Sequence, residues 1–295
     1  MFRLFALMML PLVAACATVA EPPSTAFASD RISVEVRGSG PDVVLIPGLS
    51  SSPEVWESTI AAVPGYRYHL VHVAGFAGKP AGGNSGGPVV EPVAAEIARY
   101  IREARLERPA IVGHSLGGAW AMMVAARNPE LPSRIMVIDM LPFLGGVFGQ
   151  PNATPESLRP LAEQMRQAIA TSTGEARRRN IEQTIAGMVR TESLRGPAVE
   201  HSLASDPGVS GQAMAELITT DLRPELANIR VPITVLFVRS PAMPVTDAQM
   251  EQYYRASFAN APQATVKRIP DAYHFIMFDE PEAFQSELRA FLQGS

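Results

Sequence analysis

Residues 109–118, Pro-Ala-Ile-Val-Gly-His-Ser-Leu-Gly-Gly, decide the fold. Ala110–Val112 is a short apolar run of strand type, and LGGAWAMMVAARNP, from Leu116 on, has helix length and is apolar on nearly every side, so it reads as a buried helix. Between them Gly113-His114-Ser115-Leu116-Gly117 spells G-x-S-x-G. So sharp a strand-to-helix turn puts its serine in a strained backbone conformation, and side chains at the two glycine positions would strike neighbouring backbone. The turn lifts the Ser115 hydroxyl above the carboxyl edge of a sheet, beside the amides of a helix N-terminus. A Gly-rich turn whose serine merely caps the helix shares the spelling; the flanking strand and helix separate the two readings.

Upstream, ISVEVRG alternates like a half-buried strand, DVVLI is a continuous apolar strand, PEVWESTIAAV has helical spacing, and YRYHLVHVAGF reads as another strand. AGKPAGGNSGGP reads as a flexible surface loop, and Val90, Val93, Ile97 and Ile101 mark the apolar face of a helix. Downstream, SRIMVID is a strand, after which the alternation stops. Residues 141–228 carry helical patterns (LRPLAEQMRQAIA, RRRNIEQTIAGMV) and no strand, so they read as a helical cap inserted into the α/β core of 31–140 and 229–295. The core resumes with ITVLFV, a helix over about 247–258, the strand ATVKRI, and a closing helix with Phe284, Leu288 and Phe291 on one face. The pattern predicts an α/β fold, a mostly parallel sheet flanked by helices.

A chain of 295 residues with 47% hydrophobic and 18% charged content folds rather than staying disordered. A net charge of -4 leaves no basic excess for nucleic-acid phosphates. The single cysteine, Cys16, excludes an internal disulfide, and the five scattered histidines lack zinc-site spacing. MFRLFALMML PLVAACATVA has one early cation, Arg3, then an apolar run over 4–15, too short to span a bilayer; residues 1–20 read as a signal peptide. Val13-Ala14-Ala15-Cys16 resembles a bacterial lipobox, which implies a lipidated Cys16 as the mature N-terminus and membrane association; simple cleavage after Ala17 or Ala20 is the alternative. Both expect export, and residues 21–30 read as a flexible tether.

With GHSLGG at the turn, IPGLSSSPEVW and HVAGFAG before it, and RPELANIRVPITVLF and IPDAYHFIMFDEP after it, the chain from Arg31 to Leu292 resembles the α/β-hydrolase fold family, in its capped esterase and lipase branch. The resemblance implies a nucleophile, acid and histidine in that chain order, with Ser115 the nucleophile. Only His201 and His274 follow Ser115; His274, between the last strand and the final helix, stands where the family keeps its base. Most relatives carry the acid after the strand matching ITVLFV, but here that stretch reads RSPAMPVTD, with Pro241 near the expected place. Asp139, at the end of the strand after the serine helix, is the favoured replacement; Asp247 and Asp271 compete, and a Ser-His dyad is the residual case. The resemblance implies an oxyanion hole from the backbone N–H groups of Leu116 and Leu49. His69 and His72 read as packing residues and Arg177-Arg178-Arg179 as a solvated face. Met188, Met214, Met243, Phe143 and Phe148 are candidates for an acyl pocket. The expectation is an exported serine hydrolase of carboxylic esters, acting through an acyl-enzyme on a small-molecule ester without metal or organic cofactor. Amidase, lactonase or thioesterase chemistry on the same triad, a non-catalytic binding protein and an envelope adaptor stand as alternatives.

Overall fold

The computed structural model describes residues 27–148, 152–240 and 244–294. Cys16 and the rest of the stretch expected to be a signal peptide, together with Pro241 and Met243, lie outside the described residues. Seven strands, β1 (Ile32–Gly38), β2 (Asp42–Ile46), β3 (Arg67–Val73), β4 (Ala110–His114), β5 (Arg134–Ile138), β6 (Ile233–Phe237) and β7 (Ala264–Arg268), form one sheet in the order β1-β3-β2-β4-β5-β6-β7. Among the described residues only the β1–β3 pair is antiparallel. The helices are α1 (Glu57–Ala62), α2 (Val90–Glu103), α3 (Leu116–Arg127), α4 (Gly145–Phe148), α5 (Pro155–Ala170), α6 (Gly174–Met188), α7 (Arg195–Ala204), α8 (Pro207–Thr219), α9 (Asp247–Ser257), α10 (Ile276–Asp279) and α11 (Pro281–Gln293).

The central strands are apolar throughout because both faces are covered. Val44 and Ile46 of β2 pack with α2 and α3, while Val43 and Leu45 face the opposite side with Trp56 and α11. Phe284, Leu288 and Phe291 of α11 are all buried there, as their spacing predicts. Helix α3 has no polar face: its residues Leu116 to Ala126 are all buried. Between β5 and β6 the described residues hold helices and no strand, so the chain carries a helical insertion, α4 to α8, above the carboxyl edge of the sheet.

The insertion is tied to the core by backbone-directed bonds. The Glu216 carboxylate of α8 accepts from the amides of Val89 (3.0 Å) and Val90 (2.6 Å), capping α2 from outside it. Asp279 accepts from the amides of Arg190 (3.0 Å) and Thr191 (2.9 Å), and Phe275 N–H donates to Met188 O at 3.1 Å. The loop of residues 77–88, expected to be loose surface, is anchored instead: Asn84 is buried, its amide donating to the carbonyls of Arg31 and Ala74. Residues 27–30, expected in the tether, also pack on the core. Phe27 meets Tyr100 edge-on at 5.0 Å under the Arg99 guanidinium, and Asp30 O accepts from Gly83 N–H. One aromatic side chain in that Ser/Ala-rich stretch is enough to hold it down.

Candidate active site

The sheet order sets the carboxyl ends of β4, β5, β6 and β7 side by side, and the site is formed by Ser115 after β4, Asp139 after β5 and His274 in the loop after β7. Ser115, between β4 and α3, has φ +55° and ψ −125°. Its amide donates to Ile138 O at 2.9 Å and its carbonyl accepts from Gly118 N–H at 2.7 Å, so the strained residue is held from both sides. The flanking glycines are obligatory: a Cβ on Gly113 would stand 2.0 Å from Gly117 O, and one on Gly117 would stand 2.2 Å from Ile46 O. Gly48 lies directly over the serine, where a Cβ would be 2.9 Å from Ser115 Cβ.

Asp139 follows β5 with φ +48°, its amide bonded to Leu236 O of the adjacent strand at 2.7 Å. That conformation turns the carboxylate across the end of β6 toward the loop after β7. Oδ2 lies 2.6 Å from Nδ1 of His274, and Oδ1 accepts from Val238 N–H and from the Tyr254 hydroxyl, each at 3.1 Å. A carboxylate only accepts, so the first contact assigns the proton to Nδ1 and leaves Nε2 of His274 as an acceptor. Tyr254 stacks on Phe237 at 4.4 Å, and burial, with the neighbouring Asp139 charge, pushes its phenol well above the usual range; it stays a neutral donor.

His274 is also gripped through its backbone. His114, fully buried, donates from Nε2 to His274 O at 3.0 Å, and its ring lies 4.7 Å from both the His274 and the Phe275 rings. Burial first, and the closeness of a second imidazole, His274, after it, hold His114 well below the ordinary imidazole range, so it is neutral, with Nδ1 buried and unpartnered. Among the described residues the Ser115 hydroxyl, His274 Nε2 and the N–H groups of Leu49 and Leu116 have no hydrogen-bond partner.

Other candidates are placed elsewhere. Asp247 begins α9 behind the Thr246 cap and pairs with Arg239 and Arg268, which hold it below the usual carboxylate range. Asp271 is exposed, and its carbonyl, not its carboxylate, takes a bond from Arg190. His201 pairs with Glu54 at 3.1 Å. His69 is buried between Asp42 and Tyr100, and His72 bonds Phe76 O. Among the described residues no group of three His, Cys, Asp or Glu could hold a metal ion.

Ser115, Asp139 and His274 open into a cavity of about 590 Å3 between sheet and insertion, walled by Met140, Leu141, Leu144, Met188, Met214 and Leu217. Phe143 does not line it; it packs with Leu158, Ala162 and Ile218 beneath the Arg223 guanidinium. The side chain of Phe148 lies outside the described residues. Arg177, expected on a solvated face, reaches the cavity wall, with Nη2 donating to the carbonyls of Ser202 (3.1 Å) and Ser205 (2.6 Å) at the end of α7. Its two neighbours follow expectation: Arg178 pairs with Glu200, and Arg179 is exposed.

With this geometry in place, the model of one family, described as the alpha/beta hydrolase family, matches residues 43–286 of the chain. The chain belongs to the alpha/beta hydrolase family. A pimeloyl-[acyl-carrier protein] methyl ester esterase of Pectobacterium carotovorum subsp. carotovorum is 26% identical over 273 residues, covering 88% of this chain and 98% of the relative. The same alpha/beta hydrolase fold recurs in an esterase from Exiguobacterium antarcticum (TM-score 0.73, 20% identity, 89% of this chain and 95% of that one). It recurs again in the enol-lactonase from Burkholderia xenovorans LB400 (TM-score 0.70, 18% identity, 89% and 96%).

Two contributors to this hydrolase site went unrecognised in the sequence. Tyr254 sits in an ordinary amphipathic helix, and nothing in its spacing tells that its hydroxyl reaches back to Asp139. His114 was legible only as part of the Ser115 motif; its bond to the His274 backbone spans 160 positions.

Proposed function

We propose that the protein is a serine hydrolase that cleaves carboxylic esters with apolar acyl groups through an acyl-enzyme. The observation that carries this reading is the 2.6 Å contact of Asp139 Oδ2 with His274 Nδ1, which leaves Nε2 a free base in the cavity that Ser115 lines. In the forward step Ser115 Oγ bonds to the ester carbonyl carbon while Nε2 takes its proton. The oxyanion is received by the N–H groups of Leu49 and Leu116. Collapse breaks the carbon–oxygen bond, and the departing alkoxide leaves as the alcohol with the proton from Nε2. Water, deprotonated by the same nitrogen, then releases the acid and restores Ser115. The apolar wall suits an aliphatic chain, and its Met140, Met188 and Met214 adapt to varied shapes. The family relatives named for methyl ester cleavage put methyl esters of medium acyl chains first among substrates to try. The Arg3-to-Cys16 pattern supports an exported enzyme anchored to a membrane through lipid on Cys16, for which an intact mass showing an unmodified N-terminus beyond Cys16 is the contrary result.

The test is labelling by a fluorophosphonate together with hydrolysis of p-nitrophenyl and methyl esters of graded acyl length. Labelling at Ser115 and turnover of at least one ester are expected; no labelling of the folded protein overturns the reading, and preferred turnover of amides or thioesters replaces its substrate class.

A further inference from the structure

The loop that carries Leu49 is held in shape by the helical insertion rather than by the core alone. Ser50, next to Leu49, has φ +56°, a left-handed conformation uncommon for a residue with a side chain. Nothing in the sequence Leu49-Ser50-Ser51 favours it, so the surroundings must. Within the loop, Ser51 N–H bonds Gly48 O at 3.2 Å, and the Ser51 hydroxyl reaches only back to Leu49 O at 3.4 Å. The firm contact is external: Ser50 Oγ meets Ser210 Oγ of α8 at 2.8 Å, both residues buried. A second serine, Ser205, lies 3.4 Å from Ser50 O, but its one hydroxyl proton has a nearer acceptor in His201 O at 2.8 Å, so Ser210 is the principal tie.

Ser210 can serve as a fixture because the start of α8 is pinned to the core. Asp206 caps the helix through Val209 N–H, and its own amide donates to Gly75 O at 2.7 Å. Ala77 N–H donates to Ser205 Oγ at 2.8 Å, and Gly78 N–H to Ala204 O at 3.1 Å. Val209 packs on Gly75 so closely that a Cβ there would lie 2.9 Å from it. Arg177 closes the bracket by binding the Ser205 carbonyl at 2.6 Å.

We infer that Ser210 is a positioning residue: through its hydroxyl bond it holds Ser50 in the left-handed conformation that aims the Leu49 N–H at the oxyanion, so the insertion completes the oxyanion hole. The inference rests on the serine-hydrolase reading above. Losing Ser210 leaves a buried Ser50 hydroxyl unpaired and lets the residue relax toward ordinary φ, swinging the neighbouring amide away. Glycine populates φ > 0 without penalty, so Ser50→Gly keeps the loop's shape with no need of the bond.

The experiment compares wild type, Ser210→Ala and the Ser50→Gly/Ser210→Ala pair with the best p-nitrophenyl ester, alongside amide exchange of the segment 47–53 read by mass spectrometry. Ser210→Ala is expected to lower kcat by about ten- to thirtyfold, less than outright loss of an oxyanion donor. Its KM should move less than about twofold, since that donor acts on the transition state more than on bound ester. The double variant should regain most of the lost kcat, and exchange in 47–53 should rise in Ser210→Ala. Unchanged kcat and exchange in Ser210→Ala, a change in KM alone, or a double variant no better than the single overturns the inference. The exchange arm needs no turnover: a loop that loosens in Ser210→Ala while wild type is neither labelled by the fluorophosphonate nor active on any ester, amide or thioester sinks the hydrolase reading and leaves the tie standing, whereas an active wild type whose loop is indifferent to Ser210 does the reverse.

Discussion

Asp139 and Asp247 invite comparison, because each follows one of two neighbouring strands and each bears a carboxylate that could serve His274. Asp139 comes directly after β5 in a left-handed conformation that swings its carboxylate across the sheet edge, where an imidazole, an amide and a phenol converge on it. Asp247 comes ten residues after β6 ends, in the first turn of α9, and spends its charge on Arg239 and Arg268. The difference lies in what surrounds the two carboxylates, not in their chemistry. A residue that ends a strand inherits the sheet's geometry, whereas one that opens a helix several residues later inherits the helix's. The carboxyl ends of adjacent strands are near enough that the acid can move one strand over and still address the same histidine.

Substitutions order this comparison by size. His274→Ala, which removes the group that would favour Asp139 over Asp247, should lower kcat by at least about 10³-fold, and combining it with Ser115→Ala should add almost nothing. Near wild-type turnover in either single variant breaks the scheme. Asp139→Asn keeps the size but reverses the preferred tautomer of His274, and kcat is expected to fall at least about 10²-fold, or about 2.7 kcal/mol of barrier. Tyr254→Phe removes one of three donors to that carboxylate and should lower kcat about five- to tenfold, about 1 to 1.4 kcal/mol, with little change in KM. The same kinetic assay applied to Asp247→Asn should give kcat/KM within about twofold of wild type, because an exposed pair contributes little. A larger loss there than in Asp139→Asn reverses the comparison.

Acid separates the two sides differently. Asp247 is held below its usual range, so it stays charged through mildly acidic pH, whereas His114 is held neutral by burial. A histidine depressed in the fold binds fewer protons than in the unfolded chain. Its stabilisation is therefore present above about pH 6.5 and declines as pH falls below that, by up to about 1.4 kcal/mol per pH unit. His69 and His72, also depressed by burial, add in the same direction. Urea denaturation at pH 7 and pH 5.5 should show lower stability at the acid value, and His114→Gln should flatten that loss; an unchanged difference removes His114 from the account.

Much of this was legible in the sequence. The alternation of strands and helices and the Ser115 turn follow from local periodicity, and the structure keeps them; His274 was singled out by the resemblance to the family. For the acid, the sequence favoured Asp139 but left Asp247 and Asp271 open, because strand order across the sheet, which brings residues 139 and 274 together, is not a local property. Tyr254 and Ser210 were invisible for the same reason: a hydroxyl on an ordinary helix acquires a role only from the partner it meets 115 or 160 positions away. Arg177 misled because charged triplets on helices usually face water, whereas its long side chain here turns back to bind the carbonyls that end α7. The loop of residues 77–88 misled because its glycines suggest slack, while the one buried Asn84 fastens it.

Helix α3 has no solvent side, and a Cβ on Gly118 would sit 3.0 Å from Val137 and 3.1 Å from Met140. Enlarging almost any residue from Leu116 to Ala126 forces overpacking, which typically costs about 1–3 kcal/mol. Helix α6 has a single buried residue, Ile185, although Ile181, Thr184 and Met188 also face the cavity. Laboratory selection for new substrate preferences would therefore accumulate changes in α6 and leave α3 nearly untouched, so that one stretch of chain is free to diversify while the helix behind Ser115 is frozen by its own packing.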